Sequence, residues 1–299
     1  MRRRRWVIAL AAASAVVVAV VVVIVVRTVG AAPSPECRVP GKAGAADLGL
    51  DAAELQHAST INAVGISRRL PPRARIIALA TAFQESTMRN LSSGDRDSVG
   101  LFQQRPSQGW GSREQIMDPV YASGKFYDAL VQVPGWQTGT LTKVAQAVQH
   151  SGFPDAYARW EDEATTLVAG LGGGAPPELS CRAGAAAPTA DAPARAPVPG
   201  AENAAAGLRS LLAAAGTELT GTTVRELADG NRSAIVALAA RDISPEAASR
   251  VLAAWSVAHA TGFGVTEVRV GGRRYTGHVW SDDARDGPLP TGQVRISVG

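Results

Sequence analysis

Residues 84–111 read QESTMRNLSSGDRDSVGLFQQRPSQGWG, and the fold expected for the first half of this 299-residue chain turns on them. The stretch follows an apolar segment in which Ile76, Leu79, Ala80 and Phe83 recur at i, i+3, i+4 and i+7, the spacing of one helix face. Pro71-Pro72 opens that helix. Glu85 falls just past the stripe, where the unpaired carbonyls of a helix end disfavour negative charge and the adjoining buried face disfavours it further. A carboxyl so placed can retain a proton for donation. The competing reading is a helix-end glutamate that points into water.

Residues 90–115 are rich in Ser, Gly and Asp and read as an extended loop. Gln103, Gln104, Ser107 and Gln108 supply side chains suited to a polar, hydroxyl-rich ligand, and Gly100 allows close approach of the backbone. Trp110 offers an aromatic face, although an isolated Trp more often belongs to a core. Asp95 and Asp97 read as turn formers; a second catalytic carboxylate among them would favour hydrolysis. Upstream, a helix starts near Asp51 with Leu55, Ala58, Ile61 and Val64 at helical spacing. Downstream, Asp118-Pro119 begins a helix that Pro134-Gly135 breaks, and residues 142–149 and 155–168 form two more. His150 reads as a helix-end surface residue. Nothing here alternates like a strand, so residues 47–171 are expected to be mainly α.

Gln84-Glu85-Ser86, then Asn90, then the run from Ser98 to Gln103 (SVGLFQ), with Asp118-Pro119 opening the next helix, resembles the pattern of the lysozyme-like lytic transglycosylases. The resemblance covers about two fifths of the chain, and it is the ordered set of three motifs that carries it. It implies a mainly α lysozyme-like domain that cleaves the β-1,4 bond between N-acetylmuramic acid and N-acetylglucosamine in peptidoglycan, without metal or cofactor. Glu85 matches the single catalytic glutamate, which protonates the glycosidic oxygen and then, as a carboxylate, assists attack by the muramoyl 6-hydroxyl. Ser86, Gln103, Gln104 and Gln149 are the substrate-binding residues that it implies. Phe102 stands where the family usually has Met, and the family's later tyrosine is absent from the matching place, which reads Ala-Val-Gln-His-Ser-Gly at 147–152. Gln149 is the polar substitute there, and Tyr157 is a more distant one.

The N-terminus carries Arg2, Arg3, Arg4 and Arg5, then residues 6–26 without a charge, then Arg27. An apolar run of about 20 residues is long enough to span a membrane as a helix, and the preceding arginines keep that end cytoplasmic. Residues 1–29 are therefore expected to be a transmembrane anchor, with a cleaved secretory signal as the alternative. Both readings export the remainder, so a cell-membrane or secreted location follows. Of the 30 Lys and Arg, these five leave 25 against 26 Asp and Glu, and no basic stripe supports a nucleic-acid partner. Cys37 and Cys181 are the only cysteines. In an exported chain they are expected to form a disulfide that closes a loop of about 145 residues, a restriction of the unfolded state of roughly 5 kcal/mol in the chain-entropy model. Two isolated cysteines lack zinc spacing, so no metal site is expected.

Residues 30–46 read as a tether and 172–200 as a Gly/Ala/Pro-rich linker. A small α+β domain is expected over 201–299, with helices at 203–215, 233–240 and 245–261, then a hairpin and a third strand. Arg269, Arg273, Arg274 and Trp280 in it read as ordinary strand surface and core. That domain is open to three roles: peptidoglycan binding, recruitment of a protein partner, or dimerisation. The two functions in contention are a peptidoglycan lytic transglycosylase, with a muramidase as its hydrolytic variant, and a catalytically weak glycan-binding scaffold of a wall or export complex.

Overall fold

The computed structural model describes residues 36–41, 45–150, 155–182, 201–283 and 287–299. Strand β1 (Glu36–Val39) pairs antiparallel with β2 (Leu48–Asp51), whose last residue caps α1 (Ala52–Ser67). The Asp51 carboxylate accepts from Glu54 N at 2.8 Å, and Glu54 Oε2 accepts from Asp51 N at 2.9 Å, a reciprocal box that satisfies two otherwise orphaned donors. Helix α2 (Pro72–Ser86) follows and is buried on most of its circumference, with Ala74, Ile77, Leu79 and Phe83 all in the core. It is the central helix of this half. The short α3 (Arg113–Ile116), α4 (Pro119–Leu130), α5 (Leu141–Gln149) and α6 (Glu161–Leu171) complete the helices around it. Asp118 caps α4, accepting from Val120 N at 2.8 Å and Tyr121 N at 3.4 Å. Tyr127 donates to the Ile61 carbonyl at 2.9 Å and ties α4 to α1. Strand β3 (Ser180–Cys181) returns to pair with β1, placing Cys37 opposite Cys181, and the two form a disulfide.

The second half begins with α7 (Ala201–Glu218) and continues through β4 (Thr222–Ala228), β5 (Ser233–Leu238), α8 (Pro245–Ala258), α9 (Ala260–Phe263), β6 (Val265–Val270), β7 (Arg273–Thr276), β8 (Val279–Asp282) and β9 (Gln293–Val298). The strands form one antiparallel sheet in the order β4-β5-β9-β6-β7-β8. Helix α8 covers it, held at its start by Ser244 Oγ, which accepts from Ala247 N at 3.2 Å.

The expectation of a mainly α lysozyme-like fold with a small α+β appendage is overturned by these sheets. Among the described residues the chain is α+β, with a six-stranded and a three-stranded sheet. Residues 233–240, expected to be helical, contain β5 instead. Its burial alternates from Ile235 to Leu238, and its β-branched Ile235 and Val236 are placed between β4 and β9. The strands of the first half are four residues or fewer, too short to show a period of two. No helix among the described residues is long and apolar enough to cross a membrane. The expected anchor at 1–29 and residues 183–200 of the expected linker lie outside the described residues.

Both halves share one continuous apolar core, which runs from Leu55 and Leu79 to Leu252, Trp255 and Val268. Polar contacts reinforce the junction. Ser67 Oγ donates to the Glu218 carbonyl at 2.7 Å, Tyr275 donates to the Cys181 carbonyl at 3.0 Å, and Trp280 Nε1 donates to the Leu179 carbonyl at 2.9 Å. Beneath them the Glu218 carboxylate accepts from Trp255 Nε1 at 2.7 Å and stands 3.4 Å from His259 Nε2.

Candidate functional site

Helix α2 ends abruptly because Thr87 and Met88 both adopt left-handed backbone, with φ of 52° and 61°. Thr87 N donates to the Phe83 carbonyl at 2.9 Å and Met88 N to the Ala82 carbonyl at 3.3 Å, which closes the last turn. His57 Nδ1 donates to the Met88 carbonyl at 2.7 Å and anchors this reversal to α1. Glu85 therefore sits half-buried in the final turn of a rigidly terminated helix.

The loop that follows folds back on itself. Gly100 N donates to the Leu91 carbonyl at 2.7 Å and Val99 N to the Gln104 carbonyl at 3.0 Å. Gly100 has φ of 81°, and a Cβ there would stand 2.8 Å from the Ile116 carbonyl oxygen, so both backbone and space require glycine. Three side chains then hold successive carbonyls of this turn. Gln103 Nε2 donates to Gly100 O at 3.1 Å, Ser86 Oγ to Leu101 O at 2.8 Å, and Gln149 Nε2 to Phe102 O at 2.7 Å. Gln104 is buried and donates to the Ala122 carbonyl at 3.2 Å. The sequence-predicted polar residues Ser86, Gln103 and Gln149 are thus gathered on one turn, where their groups engage main-chain carbonyls, while Gln104 faces α4.

The partner of Glu85 comes from elsewhere. Tyr157, fully buried, donates its hydroxyl to Glu85 Oε1 at 2.7 Å. Three residues on, Trp160 stacks on Phe83 with ring centroids 5.1 Å apart and donates Nε1 to Gln84 Oε1 at 3.0 Å. Arg159 lies over the Trp160 ring, 4.7 Å from its centroid. The 3-10 turn Ala158–Trp160 and the residue before it therefore grip the last turn of α2 from the side. Tyr157 stood in the sequence only as a distant substitute for a missing tyrosine. Its pairing with Trp160 at i, i+3 is the one local signal that marks this segment as a contact surface.

The two loop aspartates are placed differently. Asp97 accepts from Arg105 Nε at 2.8 Å, from Ser107 N at 2.8 Å and from Ser107 Oγ at 3.0 Å, so it braces the loop. The Arg105 guanidinium, with Ser107, holds its carboxyl far below the usual carboxylate range. Asp95 is almost fully exposed, with 92 % of its side chain in solvent, and its ion-pair partner is the adjacent Arg96. His150 ends α5 in left-handed conformation and is exposed. Trp110 is partly buried against the core, and its carbonyl accepts from Tyr121 at 3.2 Å. Among the described residues no cluster of three or more metal-ligating side chains occurs. No protein-family model and no curated protein sequence matches this chain.

Proposed function

We propose that this protein is a peptidoglycan lytic transglycosylase that acts outside the membrane across which its N-terminal apolar segment carries it. The observation that supports this reading is the Tyr157 hydroxyl 2.7 Å from Glu85 Oε1, at the end of a helix whose neighbouring serine holds the Gly-Leu-Phe-Gln turn. Tyr157 engages one carboxyl oxygen and leaves Oε2 to carry the proton. In the first step Oε2–H protonates the glycosidic oxygen as the bond to the muramoyl C1 breaks. In the second the carboxylate takes the proton of the muramoyl 6-hydroxyl as that oxygen bonds to C1, which returns Glu85 to its starting state and leaves a 1,6-anhydro end. A single carboxyl suffices for both steps. The engagement of Asp97 by Arg105 and Ser107, and the exposure of Asp95, favour this over a mechanism with a second carboxylate.

Digestion of purified sacculi by the full-length protein tests the proposal. Anhydro-muropeptides that disappear with Glu85→Gln are the expected result. Fragments with reducing ends would make the enzyme a muramidase, and the absence of any fragment from folded wild type would leave a glycan-binding scaffold in its place.

A further inference from the structure

A cavity of about 460 Å³ lies at the junction of the two halves, at the opposite end of α2 from Glu85, and is lined by residues of α1, α2 and the segment after β5. Arg75 lines it and is only 7 % exposed. Its Nη1 donates to Asn62 Oδ1 at 2.8 Å, and its Nε has no hydrogen-bond partner. Asn62 is itself fixed by donation to the Leu171 carbonyl at 3.1 Å. No carboxylate forms an ion pair with Arg75 among the described residues, so this guanidinium is buried with a neutral amide as its hydrogen-bond partner and the neutral phenol of Tyr127 nearby. Burying a cation without a counter-charge is strongly unfavourable, and an anion that enters the cavity relieves the penalty.

Two further features have the same sign. Arg69 and Arg241 line the same cavity, and the carboxylate of Asp242, 3.7 Å from Arg69 Nε, is the single acidic group in the lining, so three guanidiniums face one carboxylate. Pro71 and Pro72, at the N-terminus of the 15-residue α2, open onto the space, and Pro71 provides no side-chain cap, which leaves the positive end of the helix dipole available. Leu70, Leu238 and Ile243 give the remaining wall an aliphatic character. The volume falls within the roughly 300–1,000 Å³ of small-molecule sites, larger than a bare inorganic ion requires.

We propose that this cavity binds a small organic anion, with a carboxylate or phosphate head on Arg75 and a short aliphatic body against Leu70, Leu238 and Ile243. The site stands independently of the reading of Glu85, because binding is measured without turnover.

Calorimetric titration of the full-length protein with butyrate, butyl phosphate, butanol and butylamine tests it. One or both anions bind with one-to-one stoichiometry while the alcohol and the amine do not, and the tighter anion identifies the head group. Arg75→Met weakens that binding by roughly tenfold or more, as loss of a charge-assisted hydrogen bond requires. Arg241→Ala, at an exposed position where folding is not at stake, weakens it about threefold. The proposal is overturned if neither anion binds, if butanol binds as well as they do, or if a folded Arg75→Met binds like wild type. Should Arg75→Met not fold, the Arg241→Ala titration decides alone.

Discussion

Tyr157→Phe separates a positioning hydroxyl from a merely packed ring. Phenylalanine preserves the buried aromatic volume of a side chain that is fully enclosed, and deletes only the oxygen that donates to Glu85 Oε1 at 2.7 Å. A hydrogen bond to a charged group contributes about 1.5–3 kcal/mol. If that bond orients Glu85 in the transition state, its loss at 1.36 kcal/mol per decade lowers kcat by roughly ten- to 150-fold. Folding stability changes much less, by about 1 kcal/mol, because Glu85 is half-buried and water can replace the donor. The assay is the initial rate of anhydro-muropeptide release from sacculi over a range of substrate concentrations, with thermal unfolding measured on the same samples. The expected result is a reduced kcat with KM within about twofold of wild type. A kcat within about twofold of wild type, or a raised KM with kcat intact, would refute the assignment of Tyr157 as the residue that positions Glu85.

Removing the disulfide by Cys37→Ser with Cys181→Ser releases a loop of 144 residues. In the chain-entropy model this destabilises by about 5 kcal/mol and lowers Tm by roughly 10–20 °C, and calorimetry showing no change would sink the estimate. Gly100→Ala forces a Cβ to 2.8 Å from the Ile116 carbonyl at φ of 81° and is expected to cost about 1–3 kcal/mol in a denaturant titration; a midpoint like wild type would show that the turn has another way to close. Stability should fall with acid in two stages. Burial holds the His57 imidazole below its ordinary value, so the unfolded chain takes up a proton that the folded one resists, and stability drops as pH falls below about 6.5. Burial alone would raise the Glu218 carboxyl, but the neighbouring His259, with hydrogen bonds from Trp255 and Thr60, holds it below the ordinary range. Its contribution is therefore present above a pH of about 4.5 and is lost as pH falls through the lower folded value. His57→Gln should flatten Tm against pH in the first stage and Glu218→Gln in the second; unchanged slopes in both would contradict the linkage.

The helices that carry the candidate site were legible because their signals are local. Asp51 with Glu54, Asp118 before Pro119, and Pro72 at the head of α2 are start signals made within a few residues. The end of α2 beside Glu85 could be located from where its apolar spacing stops. The second sheet was partly hidden because Ser-Ala-Ile-Val-Ala-Leu at 233–238 has no turn signal inside it and alanine suits helices, whereas its neighbours β4 and β9 make it a strand. The amides of Gln103 and Gln149 looked available in the sequence. Their engagement with Gly100 O and Phe102 O arises only once the loop has folded.

By itself the sequence determined which segments of the first half become helices, which two cysteines must pair, and that one carboxyl stands at a helix end. Each follows from side-chain period, capping chemistry or simple count. The tertiary structure alone decided what that carboxyl meets. Tyr157 lies 72 residues beyond Glu85 and reaches it because Phe83 and Trp160 stack and bring the turn before α6 against the end of α2. It likewise decided that both halves share one core and that Arg75 lines a cavity between them with no ion pair among the described residues. Such contacts depend on how whole elements pack, and no periodicity within a single segment encodes them.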